Sequence, residues 1–280
     1  MKRIVAIVCF VLFAQTAWAA GGVQPEVINS PAAVYEQGVI RICAESADNQ
    51  SRFNAKLASK TEAQKALVEY IDGLRLVSDV TVQEGFTRAA ITQTHTQGFL
   101  RGAFPVYEDY NKQEGYATTC MQINLRGTGS VMETLSPVLR NPPQALQVEK
   151  LPEYKPQPVA AAPAPKPVMA YDGLIIVVKG IGFQPALGQR IITERHEILF
   201  EPSKIVPALL VDRGCGGYTT TEDKAKALLA TWGSQQPLVI SGIRTVKGTE
   251  VVISEEDANT VFEQNQKAGI FSQAKVVFVL

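Results

Sequence analysis

Between residues 141 and 169 proline recurs without a period, at Pro142, Pro143, Pro152, Pro156, Pro158, Pro163, Pro165 and Pro167, with alanines from Ala160 to Ala164. Each proline locks φ and removes a backbone N–H, so the stretch can form neither a helix interior nor a central strand. Any core must be built from the residues on either side. The segment is expected to lean towards extended polyproline II and to act as a semi-rigid spacer between a first domain over residues 30–140 and a second over residues 170–280. At about 3.1 Å per residue it can hold two domains several tens of ångströms apart, or it can fold back along a domain surface.

The start of the chain reads as a leader. Lys2 and Arg3 precede an apolar run over residues 4–13, and Ala17-Trp18-Ala19 supplies the small-x-small pattern of a signal peptidase site. About ten apolar residues fall well short of the roughly twenty that a spanning helix needs. Residues 1–19 are therefore expected to be a signal peptide cleaved after Ala19, with the rest working in the periplasm. Cys9 lies inside the apolar run without a lipoprotein acylation sequence before it, so no direct lipid anchor is expected.

Removal of residues 1–19 from 280 leaves 261, a comfortable length for two domains, each able to bury a core. Lys plus Arg equals Asp plus Glu at 27 each and neither sign forms a block, which removes the basic stripe that nucleic acid requires. Three cysteines remain, Cys43, Cys120 and Cys215. An oxidising compartment tends to pair two and leave one over.

Periodicity makes each domain a mixture of helix and strand, and the fold class is α+β: two small mixed α/β domains joined by a Pro/Ala-rich linker. In the first, residues 39–44 read as a strand, and residues 55–72 read as a helix with Ala63, Ala66, Leu67, Tyr70 and Ile71 on one face, stopped by Gly73. Residues 74–82 read as a second strand, with Val77 out of phase. Residues 87–97 are ambiguous, and residues 99–110 and 116–125 read as paired strands around a polar turn. Cys43 and Cys120 each fall in a strand, and a disulfide between them needs close Cβ atoms on neighbouring strands; the alternative is two buried thiols. In the second domain residues 173–179, 239–246 and 275–279 read as buried strands. Helices are expected over residues 221–231 and from Ser254, capped through Asp257, to about residue 267.

Motifs for chemistry are sparse. Gly180-Ile181-Gly182 follows a strand as a dinucleotide fingerprint does, but Pro185 stands where the third glycine belongs, and a tight glycine turn is the alternative. His95 and His196 are the two histidines; His196 has Glu194 and Glu197 beside it, yet no paired ligand spacing appears and no metal is expected. Ser234 and Ser241 each lack one glycine of a nucleophile elbow. Around Cys215, the run from Asp212 to Gly217 can expose a thiolate beside Arg213, or it can be a flexible turn over a buried thiol. No catalytic residue, cofactor or cofactor-binding residue is expected.

In the first domain, residues 66–83, 94–110 and 117–125 resemble the LPP-twenty family of outer-membrane lipoproteins, the group that includes the flagellar protein FlgP. Gly73, Val80, Thr81 and Val82 match its helix-to-strand step, and Gly98, Phe99, Leu100, Arg101, Gly102 and Ala103 match the step into its hairpin. Residues 171–191, 237–246 and 251–261 resemble the C-terminal extension of longer members. The resemblance implies an envelope protein with structural or assembly roles, such as in a flagellar basal disk. Because this chain lacks the acylated cysteine, association with the outer membrane would run through a partner. The expected function is a non-catalytic periplasmic scaffold with envelope or flagellar partners and self-association. The alternative is a periplasmic enzyme or small-molecule-binding protein whose site is too scattered to read.

Overall fold

A computed structural model describes residues 23–88, 94–141, 149–156 and 170–280; the leader reading on residues 1–19 lies outside them. The first half opens with helix α1 (Pro31–Gln37), which has proline at its first position and ends on Gly38 in the left-handed region at φ 71°. Strand β1 (Val39–Glu45) follows, then helix α2 (Arg52–Asp72), whose N-cap Ser51 accepts a bond from the Asn54 amide. Ala55, Ser59, Ala63, Leu67 and Ile71 form the buried stripe of α2, four residues apart throughout. That stripe packs on an antiparallel sheet ordered β1-β5-β4, with β4 spanning Phe104–Asn111 and β5 Tyr116–Asn124. Cys43 of β1 lies directly opposite Cys120 of β5, and their sulfurs are bonded.

Two readings of this half need correction. Residues 74–82 are not one strand: β2 (Arg75–Val77) and β3 (Val80–Thr81) form a tight hairpin, and Val82 already opens helix α3 (Val82–Arg88). Ser78 takes φ 57° at the turn, which is why Val77 falls out of phase. Residues 99–102 are not strand either, since they complete helix α4 (Thr94–Gly102). Gly98 and Gly102 lie one turn apart there; a Cβ at Gly98 would stand 2.8 Å from the Thr134 side chain, and one at Gly102 would overlap the Gly129 carbonyl oxygen. Those glycines let α4 press against helix α5 (Val131–Arg140) and the turn before it. Ser130 caps α5 while the Glu133 carboxylate reaches back to the Gly129 amide, a capping arrangement that holds the helix although Pro137 lies inside it.

The second half carries two four-stranded sheets. Strands β6 (Gly173–Val177), β9 (Gly217–Thr219), β10 (Pro237–Ser241) and β13 (Val276–Val279) form a wholly parallel sheet ordered β10-β6-β13-β9. Its two central strands are apolar on both faces, as a covered parallel sheet requires. Ile175, Val277 and Val279 face helix α7 (Glu222–Thr231) through Ala225 and Leu229. Leu174, Ile176, Val276 and Phe278 belong to the main core. The second sheet, ordered β11-β12-β7-β8, comprises β7 (Ile191–Thr193), β8 (Ile198–Phe200), β11 (Arg244–Val246) and β12 (Glu250–Ile253). Helices α6 (Pro207–Arg213) and α8 (Glu255–Ala268) complete this half. The run 239–246 is thus two strands in two sheets. The chain changes sheet at Gly242, where a Cβ would stand 2.9 Å from both Ile181 and Val251.

The halves are not held apart. Leu187 and Gly188 donate backbone bonds to the carbonyls of Arg75 and Leu76 at 2.9 and 2.6 Å, and Gly127 donates to Val211 at 2.8 Å. Leu76, Leu135 and Leu139 share one buried cluster with Leu187, Ile191 and Phe200. Each such burial stabilises by about 1.5–3 kcal/mol, whereas lengthening the connecting loop costs only about 0.6 kcal/mol per doubling, so packing wins over separation. Part of the spacer folds back as well: Tyr154 is buried, its amide donates to Ile198, and Ile198 donates to Pro152.

Candidate functional site

After β6 the chain turns at Gly180 and Gly182, both at positive φ, and no helix opens behind them. A phosphate-binding helix N-terminus is therefore not built on that motif. His196, exposed and at φ 60°, sits in the turn between β7 and β8, where Arg195 bridges Glu197 and Glu255 at 3.0 and 2.8 Å. The side chain of His95 lies outside the described residues. Among the described residues no group of three or more His, Cys, Asp or Glu is placed to hold a metal ion. Ser234 is buried and donates to Asp172 at 2.7 Å, while Ser241 is exposed on β10. These residues are scattered over the second half and do not converge.

The run from Asp212 to Gly217 does reach a distinctive place. Gly214 and Gly216, at φ 73° and 121°, let the chain leave α6 and enter β9 against the Val276 carbonyl, too close for any side chain at Gly216. Cys215 is buried, and burial pushes its thiol up to about 12. Arg213 gives it no charge assistance, because its guanidinium donates to the Gln273 carbonyl and lies 5.6 Å from the Trp232 ring. This is a covered thiol, not a reactive one.

Opposite this loop, across the seam between the halves, stand Tyr35 of α1 and Arg126, just past the end of β5. Together with Cys215, Tyr218 and Ala186 they line a narrow crevice with room for about one water molecule. Tyr218 is fully engaged: its hydroxyl donates to the Ala186 carbonyl at 2.7 Å and lies 3.1 Å from the Gln189 side-chain oxygen. Its ring meets Tyr35 edge-on at 4.9 Å and stacks near Phe183 and Phe278. Tyr35 is buried, yet its hydroxyl has no hydrogen-bond partner among the described residues. Burial, with Tyr70 adding to it, raises the Tyr35 phenol far above the usual range. Arg126 donates to the Tyr35 carbonyl at 3.1 Å. Burial lowers its pKa, and the two tyrosines only partly offset that pull.

A second polar device fixes how the halves meet. Arg190 and Glu250, with 4 and 5 % of their side chains exposed, pair at 2.8 Å, and Ser78 of the β2–β3 turn donates to the same carboxylate oxygen at 3.0 Å. Thr249 donates to the Ser78 carbonyl at 3.0 Å. At the periphery Lys224 of α7 reaches Glu36 of α1 at 2.6 Å and holds that carboxyl below its ordinary value. Sequence reasoning missed Tyr35, Arg126, Arg190, Tyr218 and Glu250. Each is an isolated polar or aromatic residue whose partners stand tens of residues away along the chain, so no local spacing marks it.

Fold and seam together define an α+β protein of two interlocked halves. Residues 173–280, from β6 to the last residue, match the family model described as the second domain of Treponema pallidum Tp0624. That likeness spans less than half of the chain and concerns the second half alone. No curated protein matches the chain. Among the described residues no helix is long and apolar enough to cross a membrane.

Proposed function

We propose that this chain is a non-catalytic scaffold or assembly protein of the bacterial envelope, working in the periplasm beside the outer membrane through protein partners and self-association. The observation that carries the reading is the apolar surface of the first half. On the outer strand of the sheet, Phe104 and Val106 are 42 and 38 % exposed, and among the described residues nothing pairs with the outer edge of β4. On α2, Phe53 and Leu57, one turn apart, are 75 and 56 % exposed. Large apolar side chains grouped on a rigid sheet edge and helix face suit association with protein. The LPP-twenty resemblance of the same half supports an envelope role, and its flagellar members make a basal structure the first assembly to test.

Light scattering behind size-exclusion chromatography on the mature chain, followed by crosslinking in envelopes, tests the proposal. The Phe104→Ser/Val106→Ser chain is expected to keep its fold and lose its assembly. A wild-type chain that stays monomeric and crosslinks to no envelope protein would refute the reading.

A further inference from the structure

We infer that two copies of this chain join through the outer edge of β10, paired antiparallel about a two-fold axis at Val239, so that the parallel sheet of one copy runs on into the other. The inference rests on the self-association in the proposed function and names the surface that carries it. An unpaired strand edge presents a row of backbone donors and acceptors to any other chain, and proteins guard such edges with cover, charge, proline or a bulge. Among the described residues the edges of the three larger sheets are guarded in these ways, with one exception. Ile28 bridges to Arg41 beyond β1, and Glu153 bridges to Ile198 beyond β8. Helix α1 lies against β9, with Tyr35 edge-on to Tyr218. Strand β4 carries Pro105, a break of register at Val106 and the acids Glu108 and Asp109, and β11 is three residues long with an exposed Arg244. Strand β10 lacks all of this: its register is unbroken, no charged residue occurs from residue 231 to 243, and its one proline, Pro237, is the first residue of the strand.

The backbone of β10 is free on that side. Gly242 donates to the Val177 carbonyl at 2.9 Å and the Gln236 carbonyl accepts from the Asp172 amide at 3.1 Å, so the even-numbered residues turn their backbone groups toward β6. Those of Val239 and Ser241, with the Pro237 carbonyl, point outward. About an axis at Val239, its N–H and C=O meet those of Val239 in the second copy, and the Ser241 N–H meets the Pro237 carbonyl. No bond in this register needs the N–H that proline lacks. Side chains select a second copy as the occupant. A two-fold strand pair sets each residue against one from the same short sequence, so charges on the edge meet their like. Two β4 edges would bring acids against acids, whereas β10 has no charge to repel its copy. Val239 aligns with Ile175 on the α7 face yet stays exposed, because α7 covers the inner strands β6 and β13. Opposite its copy this β-branched side chain gains an apolar neighbour on the same face, and Leu238 comes opposite Ile240.

The test uses the mature full-length chain. Val239→Cys, treated with a mild oxidant, should give a disulfide-linked dimer, because residues directly opposite in a hydrogen-bonded antiparallel pair lie about 5.5 Å apart at Cα, within the reach of a disulfide. The background is low, since Cys43 and Cys120 are bonded and Cys215 is buried. In Ser241→Cys the two introduced residues stand about 13 Å apart along the paired strands, too far to bridge, so that chain should stay unlinked. Light scattering should find the wild type at twice the mass of Val239→Lys, whose lysines would face each other across the axis, with circular dichroism confirming that the variant is folded. Should Val239→Lys fail to fold, the two cysteine variants decide. A monomeric wild type, no linked dimer from Val239→Cys, equal linking through Ser241→Cys, or undiminished mass in folded Val239→Lys overturns the inference. Crosslinks to envelope proteins score the envelope reading separately: a monomeric wild type that still makes them overturns this inference and leaves that reading standing.

Discussion

Replacing Glu250 with alanine should cost the protein more stability than almost any other single change at the seam. The Arg190–Glu250 pair is 2.8 Å long and nearly sealed from water, and Ser78 donates to the same oxygen. Truncating Glu250 strands the Arg190 guanidinium, whose one other bond among the described residues runs to the Glu149 carbonyl at 3.2 Å, and also leaves the Ser78 hydroxyl without its acceptor. Breaking a buried pair on one side costs about 3–5 kcal/mol, against a total stability of about 5–15 kcal/mol for a typical domain. Removing both charges at once is different. Arg190→Met/Glu250→Leu fills similar volume without a stranded charge and should recover most of the loss, because the attraction between two desolvated ions little more than offsets their dehydration. Urea unfolding, read by the fluorescence of Trp232 and by circular dichroism, gives the free energies of wild type, Glu250→Ala and the double variant. Because Ser78 and Glu250 come from opposite halves, the two probes should report one transition in wild type and drift apart in Glu250→Ala. A single-variant cost under about 1 kcal/mol, or a double variant as damaged as the single, would show that the pair is not the buried determinant of the seam.

Thiol titration should find no reactive thiol in the native mature chain at pH 8 and one after denaturation without reductant, since Cys43 and Cys120 are bonded and Cys215 is buried with its thiol pushed up to about 12. Three thiols on denaturation would contradict the bond. For Asp172, burial pulls its carboxyl upward, but the Gln235 and Gln236 amides and the Ser234 hydroxyl outweigh that and hold it below its ordinary value of 3.8. A depressed folded pKa contributes stability above the unfolded value and loses it as pH falls through the folded one, so the gap in thermal midpoint between wild type and Asp172→Asn should be full at pH 7 and close below about pH 4. A gap independent of pH would refute the assignment. Limited proteolysis is expected to cut within residues 157–169, which are rich in proline and alanine, and to give two fragments that still co-elute under native conditions, because the halves share one buried cluster. Fragments that separate without denaturant would show that the seam does not hold them.

Much of this protein is written locally. The β-branched run from Gly173, the stripe of α2 four residues apart, and the caps at Ser51, Thr221 and Ser254 each specify an element through residues within one or two turns, and the structure carries all of them. Periodicity and capping act over that range, and so sequence alone determined the α+β class. It also placed Cys43 and Cys120 on strands, although only the β1–β5 register sets them face to face. Where the decision depended on distant atoms, local pattern failed. Residues 239–246 look like one strand because both pieces are apolar, yet Gly242 must pass between Ile181 and Val251, and the chain changes sheets there. Residues 99–102 look extended by composition but are helical, and α5 packs against Gly98 while the Gly129 turn before it packs against Gly102. The seam was least legible of all. Proline content predicts a semi-rigid spacer over residues 141–169, and nothing in it says whether the bodies on either side touch. That was decided by apolar burial across the seam, which in turn set Arg126 against the Tyr35 carbonyl and gathered at the seam residues that are unremarkable in the chain taken one segment at a time.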